Sequence, residues 1–421
     1  MVEVFGFRGI HYNAEKVGDI ARVLAPPYDV ISRDYRDELR KRHPNNCIYL
    51  ILGEELEENR EQNLYAKAAE HFNKWLAQGI LKREEKKSFY VYEQAFRLHG
   101  REYSRKGFIA LVKLEKFGGG KVKGHERTLG GPKADRLELM RQAKANFSTV
   151  FSLYEDARGK IAALIGEVAG RKPCIDVVFD DGVRNRMWIV SDESEVKKFE
   201  AGMRDKTLFI ADGHHRYETA LRYSAENPAA DKCMMTLVEM SDPGLIVLPT
   251  HRVIYGIEGF DFSSLKKKLG GHFDVGEVSG STRELQKLLS SKENEKAFIA
   301  RSKGKSILFS LKENADLAEL IPGESEEIRD LDVTILHELV IERILGLTKE
   351  MVSKKEKIEY VKDFEKAVEI ADSHQCDVAF LMNATKKEQV IRSCLAGHRM
   401  PQKSTYFYPK VVSGLVFNKI D

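Results

Sequence analysis

The stretch 207–221, TLFIADGHHRYETAL, restricts this chain more than any other part of it. Thr207-Leu208-Phe209-Ile210-Ala211 is a short apolar run suited to a buried strand. Tyr217, Ala220, Leu221 and Ser224 then recur at i, i+3, i+4, i+7, the spacing of a helix face. Only Asp212-Gly213 separates the two periods. The sequence therefore predicts a strand that turns directly into a helix, with Gly213 allowing a positive φ and a close ligand approach. Such a turn gathers backbone N–H groups and the positive end of a helix dipole at one point, which suits a phosphate. His214, His215 and Arg216 fall in the first helical turn, where cations oppose the dipole by ~0.3–1 kcal/mol unless an anion neutralises them. A local rule broken without gain to the fold marks a functional site. The expected phosphate ligands are Gly213, His214, Arg216 and Thr219. His215 and Asp212 are the expected catalytic groups, with Asp212 also facing a metal or a substrate hydroxyl. In the plain alternative, Asp212 is an N-cap and the histidines are surface residues.

Two further segments have the same character. Gly124-His125-Glu126-Arg127-Thr128 sits after Gly118-Gly119-Gly120 and sets an acid, two cations and a hydroxyl in five residues. Glu126 is placed as a general base toward a hydroxyl, with His125, Arg127 and Thr128 on phosphoryl oxygens; the alternative is a solvated loop. Pro249-Thr250-His251-Arg252 follows an apolar run from Leu245 to Leu248, so His251 and Arg252 lie at a strand end, as ligand contacts or as a hydrogen-bonded structural pair. Lys403-Ser404 in the tail resembles a phosphate-contact loop without the GxxxxGK pattern, and a loop tucked by Tyr406 and Phe407 is the competing reading. Strand ends and glycine loops are where ligand sites of sheet proteins collect, so Glu126, His251 and His215 are expected within one ligand's length of each other.

The rest of the chain alternates helices and strands. A helix is expected over 61–78 and strands over 88–98 and 107–115. A helix over 135–147 precedes a strand at 149–154. Then come a helix at 156–168, strands at 174–180 and 186–190, a helix at 194–203, and strands at 233–239 and 245–254. Residues 262–311 repeat the alternation in smaller pieces, with a capping box at Ser281-Thr282-Arg283-Glu284. A helix at 332–345, a strand at 357–361, a helix at 363–373, a strand at 377–383 and a helix at 386–395 follow, the last opened by a second box at Thr385-Lys386-Lys387-Glu388. This predicts an α/β class of α+β mixed sheets with helical cover. Three domains are expected: a main one over 1–255, a small inserted one over 256–328 and a C-terminal one over 329–421.

With 421 residues, 21 Phe and 15 Tyr, the chain can fill large cores, and 68 basic against 65 acidic side chains leave a net charge of +3. That balance, without a basic stripe interleaved with aromatics, weighs against nucleic acid as a partner. No apolar run approaches the ~18 residues of a membrane span, and no leader-like start is visible, so no membrane and a cytoplasmic location are expected. Cys47, Cys174, Cys233, Cys376 and Cys394 stand singly, which argues against a disulfide framework or a structural zinc site.

Five motifs in order, APPYDVIS at 25–32, GHERT at 124–128, ADGHHRYETAL at 211–221, LPTHRVI at 248–254 and MPQKSTYFYPK at 400–410, resemble the domain-of-unknown-function family 1015 over essentially the whole chain. The strand–DGHHR–helix segment is similar to a segment of the ParB/sulfiredoxin superfamily, which includes free serine kinases, sulfiredoxins and nucleotide-hydrolysing DNA-segregation proteins. That similarity covers some fifteen residues. It implies phosphate binding by Gly213, His214, His215 and Arg216, with Asp212 toward metal or substrate. A sulfiredoxin needs a Cys where this chain has His214 and His215. The expected function is a nucleotide-dependent phosphotransferase using ATP or ADP and Mg²⁺ on a small hydroxyl compound, with free L-serine the first choice. A nucleotide-binding regulator without turnover is the alternative and a ParB-like nucleic-acid-binding module the third; a homodimer is left open.

Overall fold

The computed structural model describes residues 1–53, 60–126, 130–401 and 403–420, without the side chains of 60–63 and 130–132. The chain is of mixed α/β class and forms two compact units. Unit 1 comprises Met1–Gly124, Thr128–Ile246 and Pro409–Asp421; unit 2 comprises His125–Arg127 and Val247–Tyr408.

In unit 1 the strands of the large sheet are β1 (Val4–Phe5), β2 (Phe89–Leu98), β3 (Arg101–Lys113), β4 (Val122–Lys123), β5 (Val150–Tyr154), β6 (Ile175–Val178), β7 (Arg184–Val190), β8 (Leu208–Asp212) and β9 (Lys232–Glu239). Among the described residues these nine form one sheet in the order β4-β8-β5-β9-β3-β2-β7-β6, with β1 on β3. The pairs β4·β8 and β5·β9 are parallel and the others antiparallel. A two-residue turn, His99 (φ 48°) and Gly100 (φ 80°), joins β2 to β3. Positive φ at both positions matches the right-handed twist of the strands it connects. The polar residues 101–106, which fall between the two expected strands, therefore continue the ladder, Leu98 opposite Arg101.

Through the middle of the sheet, successive residues are apolar on both faces. Tyr90, Tyr92 and Ile109 meet Ala68, Phe72 and Trp75 of α1 (Arg60–Ala77) and Leu139 and Ala143 of α2 (Gly130–Ala143). Phe89, Val91, Phe108 and Ala110 meet α3 (Lys160–Ala169), α4 (Glu193–Met203) and α5 (His214–Glu226). A sheet covered on both faces cannot show polar alternation, which is why its strands read as near-continuous apolar runs. Two helix ends differ from expectation. α2 stops at Ala143, because Lys144 adopts φ 46° and Ala145–Asn146 is extended. α3 starts at Lys160 because the Asp156 carboxylate accepts from the N–H groups of Ile161 (2.7 Å) and Ala162 (3.3 Å).

Unit 2 contains β10 (His251–Ile254), β11 (Phe273–Val278), β12 (Ala297–Ser302), β13 (Lys305–Leu311), β14 (Ile358–Val361) and β15 (Val378–Met382). Their order is β11-β13-β12-β15-β10-β14, every pair antiparallel. Strands from all three expected domains share this one sheet, so the division is into two units rather than three. The expected strand 245–254 is broken into Ile246–Leu248 and β10, since Pro249 has no N–H to give a ladder. α6 (Phe262–Leu269), α7 (Thr282–Ser290), α8 (Phe364–Asp372) and α9 (Lys387–Leu395) are helices of this unit, and α7 and α8 cover Val253, Ile299, Ala379 and Leu381. The Ser281 box forms as expected, Glu284 accepting from the Ser281 N–H at 2.8 Å. The second box is displaced by one residue. Gln389, not Glu388, accepts from the Lys386 N–H (3.0 Å), and the Thr385 hydroxyl donates instead to the Ser404 carbonyl (2.6 Å). The helix expected over 332–345 is α-helical only at Asp332–Ile335 and continues as a π-helix over Leu336–Ile344. Among the described residues no helix is long and apolar enough to cross a membrane.

Phe199 of α4 is fully buried, its ring 5.5 Å from that of Phe89 and 5.0 Å from that of Phe108. Phe199→Ala is expected to lower unfolding stability by ~3–5 kcal/mol in urea titration followed by circular dichroism. A loss below ~1 kcal/mol would contradict a tightly packed face.

Candidate functional site

In unit 1, β4 and β8 run side by side, Leu208 opposite Val122 and Phe209 opposite Lys123. The chain therefore leaves Gly124 and Asp212 at the same sheet edge. Gly213 takes φ 88°, ψ 28°, and α5 begins at His214 with no side-chain cap. His214 is buried. A Cβ on Gly124 would lie 3.2 Å from its ring carbon Cδ2, so the glycine of GHERT lets the strand pass close to the DGHHR turn. His215 is half-buried in the first turn.

Asp212 is the electrostatic centre of this edge. Its Oδ1 accepts from Lys410 Nζ at 2.6 Å and its Oδ2 from Arg216 Nη2 at 2.8 Å. Burial alone would raise its pKa, but Lys410 and Arg216, with a smaller contribution from His214, hold the carboxyl well below the usual carboxylate range. A carboxylate so firmly ionised is a poor proton acceptor, which changes the expected catalytic role of Asp212. Both of its oxygens face cations, so a Mg²⁺ ligand role does not fit it. Among the described residues no group of three His, Cys, Asp or Glu is arranged to hold a metal. Arg216 also donates to the Thr149 carbonyl. The cation in the first turn is thus already neutralised, from the end of its own strand.

Lys410 is absent from the sequence expectations. It reaches Asp212 because Arg105 Nη2 donates to the Pro409 carbonyl (2.5 Å) and Gln94 Nε2 to the Lys410 carbonyl (3.0 Å). Arg105 is buried over the Phe151 ring (4.8 Å), and burial pulls its pKa down to about 10. The one clue to Lys410 in the sequence is that it closes MPQKSTYFYPK, and no local spacing links it to Asp212, 198 positions away. The Tyr28 phenol of APPYDVIS, its pKa raised by burial, feels the charges of Arg216 and Arg136. Thr219, expected as a phosphate ligand, is buried and its hydroxyl contacts the Lys133 carbonyl at 3.5 Å.

The remaining described candidates belong to unit 2, where three motifs meet. The Met400 N–H donates to the His125 carbonyl (2.6 Å), and Glu126 bridges Met400 as a parallel partner. Thr405 Oγ1 lies 3.5 Å from His125 Nε2. Arg252 Nη2 donates to the Lys403 carbonyl (3.1 Å), Nε to His337 Nε2 (3.1 Å), and Nη1 to the Thr250 carbonyl and to Met382 Sδ (3.0 Å). Ser404 Oγ donates to the Pro401 carbonyl at 2.6 Å. His251 is fully buried edge-on against Phe364; its Nδ1 accepts from the Met382 N–H at 3.3 Å, and burial lowers its pKa to about 3. His251 and Arg252, expected on phosphate, direct their side chains to protein groups, which is the structural pair named as the alternative. Arg127 and Thr128 lie outside the described residues. Of the expected trio, Glu126 and His251 belong to unit 2 and His215 to unit 1.

Asp212→Asn is expected to cost about 3 kcal/mol at pH 7, because it leaves Lys410 and Arg216 without their counter-charge. The folded pKa is depressed, so this stability is fully present above the unfolded value near ~3.9 and is lost only as pH falls through the lower folded value. Denaturant titrations of both proteins between pH 7 and pH 2 check this. A difference already gone at pH 5 would contradict the pairing.

A free serine kinase bound to AMP is similar over 70% of this chain and 89% of its own, with 16% identity and a TM-score of 0.35. A conserved hypothetical protein from Pyrococcus furiosus gives 16% identity, TM-score 0.36, over 71% and 92%. C-terminally truncated SbnI from Staphylococcus aureus gives 8% identity, TM-score 0.37, over 72% and 85%. Comparison with curated proteins finds no match. The sequence model of DUF1015, described as a protein of unknown function, matches residues 4–334, and the chain belongs to that family.

Proposed function

We propose that the Asp212–Arg216 turn binds a phosphoryl anion, carried by ATP or ADP, and that the protein is a phosphotransferase acting on a small hydroxyl compound, with free L-serine the first to test. The observation that carries this reading is the charge balance at the turn. One carboxylate, Asp212, faces two cations, Lys410 and Arg216. Both cations therefore stand beside the positive end of α5, where an anion is the natural complement. Gly213, His214 and Arg216 supply the turn, and Lys410 joins them in place of Thr219. Phosphoryl transfer requires mainly positioning and neutralisation of charge. The alcohol oxygen attacks the terminal phosphorus, the bond to the nucleotide's bridging oxygen breaks, and the hydroxyl proton passes to a base. Glu126 is assigned as that base and His215 as a further catalytic group. His125, Arg127, Thr128, Lys403 and Ser404 are assigned to phosphate. Arg252 is a positioning residue, acting through the Lys403 carbonyl it holds, with His251 beside it. Mg²⁺ enters as an arm of the test.

Wild-type protein is expected to melt later with ATP, ADP or pyrophosphate, each tried with and without Mg²⁺; a ligand at 100 Kd adds ~2.7 kcal/mol. Lys410→Gln should weaken pyrophosphate binding about ten- to hundredfold, the ~1.5–3 kcal/mol of a charged hydrogen bond. Unchanged affinity in calorimetry would place the anion elsewhere.

Glu126→Gln is expected to bind nucleotide normally while transfer to serine and other small alcohols, followed by phosphorus NMR, falls by ~10²–10⁴. Normal turnover would remove Glu126 from the chemistry. Nucleotide binding without transfer to any alcohol would favour a regulator instead.

A further inference from the structure

Unit 2 carries a cleft of about 160 Å³, lined among others by Thr334, His337, Glu338, Glu342, Lys349 and Tyr360. Its volume is close to the ~150 Å³ cavity that takes benzene, so the bound group is small. Its wall is the π-helix over Leu336–Ile344, a widened helical form that recurs at functional sites. Carboxyl groups outnumber cations among the lining residues, Glu324, Glu338 and Glu342 against Lys349. Lys349 pairs with Glu338 at 2.6 Å and stands 4.0 Å from Glu342, so two carboxylates share one cation. His337 adds no charge: burial and Arg252 beside it hold its pKa well below the ordinary value. Its Nε2 accepts from Arg252, so its proton sits on Nδ1.

A second observation is independent of the acids. The Thr334 hydroxyl is buried and has no hydrogen-bond partner among the described residues, although Thr334 lines the cleft and is only 1% exposed. A hydroxyl buried in that position is unfavourable until something meets it. The geometry points to a binding site for a small primary ammonium compound, its N–H groups donating to the Glu342 carboxylate and the Thr334 hydroxyl. An organic cation is favoured over a metal ion because no three metal-ligating side chains converge among the described residues.

Burial and the neighbouring Glu338 raise the Glu342 carboxyl to about 7, with Lys349 opposing them. Glu324, Tyr360 and His337 are the other titratable groups of the lining. Because Glu342 must ionise to hold a cation, affinity should rise with pH.

Calorimetry of the full chain with ethanolamine at pH 8 is expected to show saturable binding on the order of millimolar. At pH 6 affinity should fall about tenfold, following the ionised fraction of a group titrating near 7. Glu342→Gln should weaken binding and flatten that profile. Thr334→Val should raise the melting temperature, since it removes the unpaired hydroxyl, while weakening ethanolamine binding about two- to tenfold. A merely structural threonine would not move both readings in opposite senses. Should Glu342→Gln fail to fold, the wild-type pH profile and Thr334→Val decide. No saturable heat at pH 8, equal heat from ethylene glycol, tighter binding of Mg²⁺ at the same residues, or unchanged affinity in both variants would overturn the assignment.

Discussion

One carboxylate, Asp212, ties together parts of unit 1 that no local pattern connects. Its own strand ends there, α5 begins one residue later and sends Arg216 back to it, and Lys410 arrives from the far end of the chain. Gly213 makes this arrangement affordable to the backbone, because a side chain at φ 88° would be strained and its Cβ would lie 2.9 Å from the Arg216 guanidinium. Ionised under all ordinary conditions, Asp212 serves the turn as a fixed negative point around which cations are arranged. The anion site proposed for the turn rests on that arrangement.

Two buried guanidinium groups act as brackets for the same tail. In unit 1 Arg105 holds the Pro409 carbonyl; in unit 2 Arg252 holds the Lys403 carbonyl. Each lies over an aromatic ring, Phe151 at 4.8 Å and Tyr360 at 5.4 Å. Taking a charge out of water is expensive, and rings and neutral oxygens offset it only in part. Burial accordingly draws both guanidinium pKa values down to about 10. A planar fork with several donors can fasten irregular backbone in a way that a lysine cannot. The segment after Met400 has little regular structure of its own, and these two arginines fix much of its course.

The strand-to-helix turn at 207–226 was readable because the period changes at a single glycine and both flanking runs are unambiguous. The Ser281 box was readable because capping involves residues three apart. Other features depended on distant partners. The sheet of unit 2 joins 251–254 to 358–361 and 378–382, and no periodicity within a segment records which strand it will pair with. Residues 101–106 look like a loop by polarity, yet pairing with β2 draws them into the ladder. The π-helix has the same apolar stripe as an ordinary helix and left no mark. At the site, sequence pattern located Asp212, Gly213 and His214 at one turn. It could not show that Lys410 would hold Asp212 ionised, nor that Arg252 would bond neutral oxygens and a histidine rather than a ligand.

The closure of unit 1 by residues 409–421 also sets an order of events. A ribosome adding ~5–20 residues per second makes Asp212 long before Lys410, 198 positions later. For about 10–40 s the carboxylate has Arg216 within reach and lacks its second cation. During that interval the whole continuous stretch of unit 2, Val247–Tyr408, is synthesised. Unit 2 can thus have its strands in hand while the edge of unit 1 still waits. Asp212 acquires its second cation only when residue 410 emerges, so the fully paired turn is a property of the late chain and not of the nascent one.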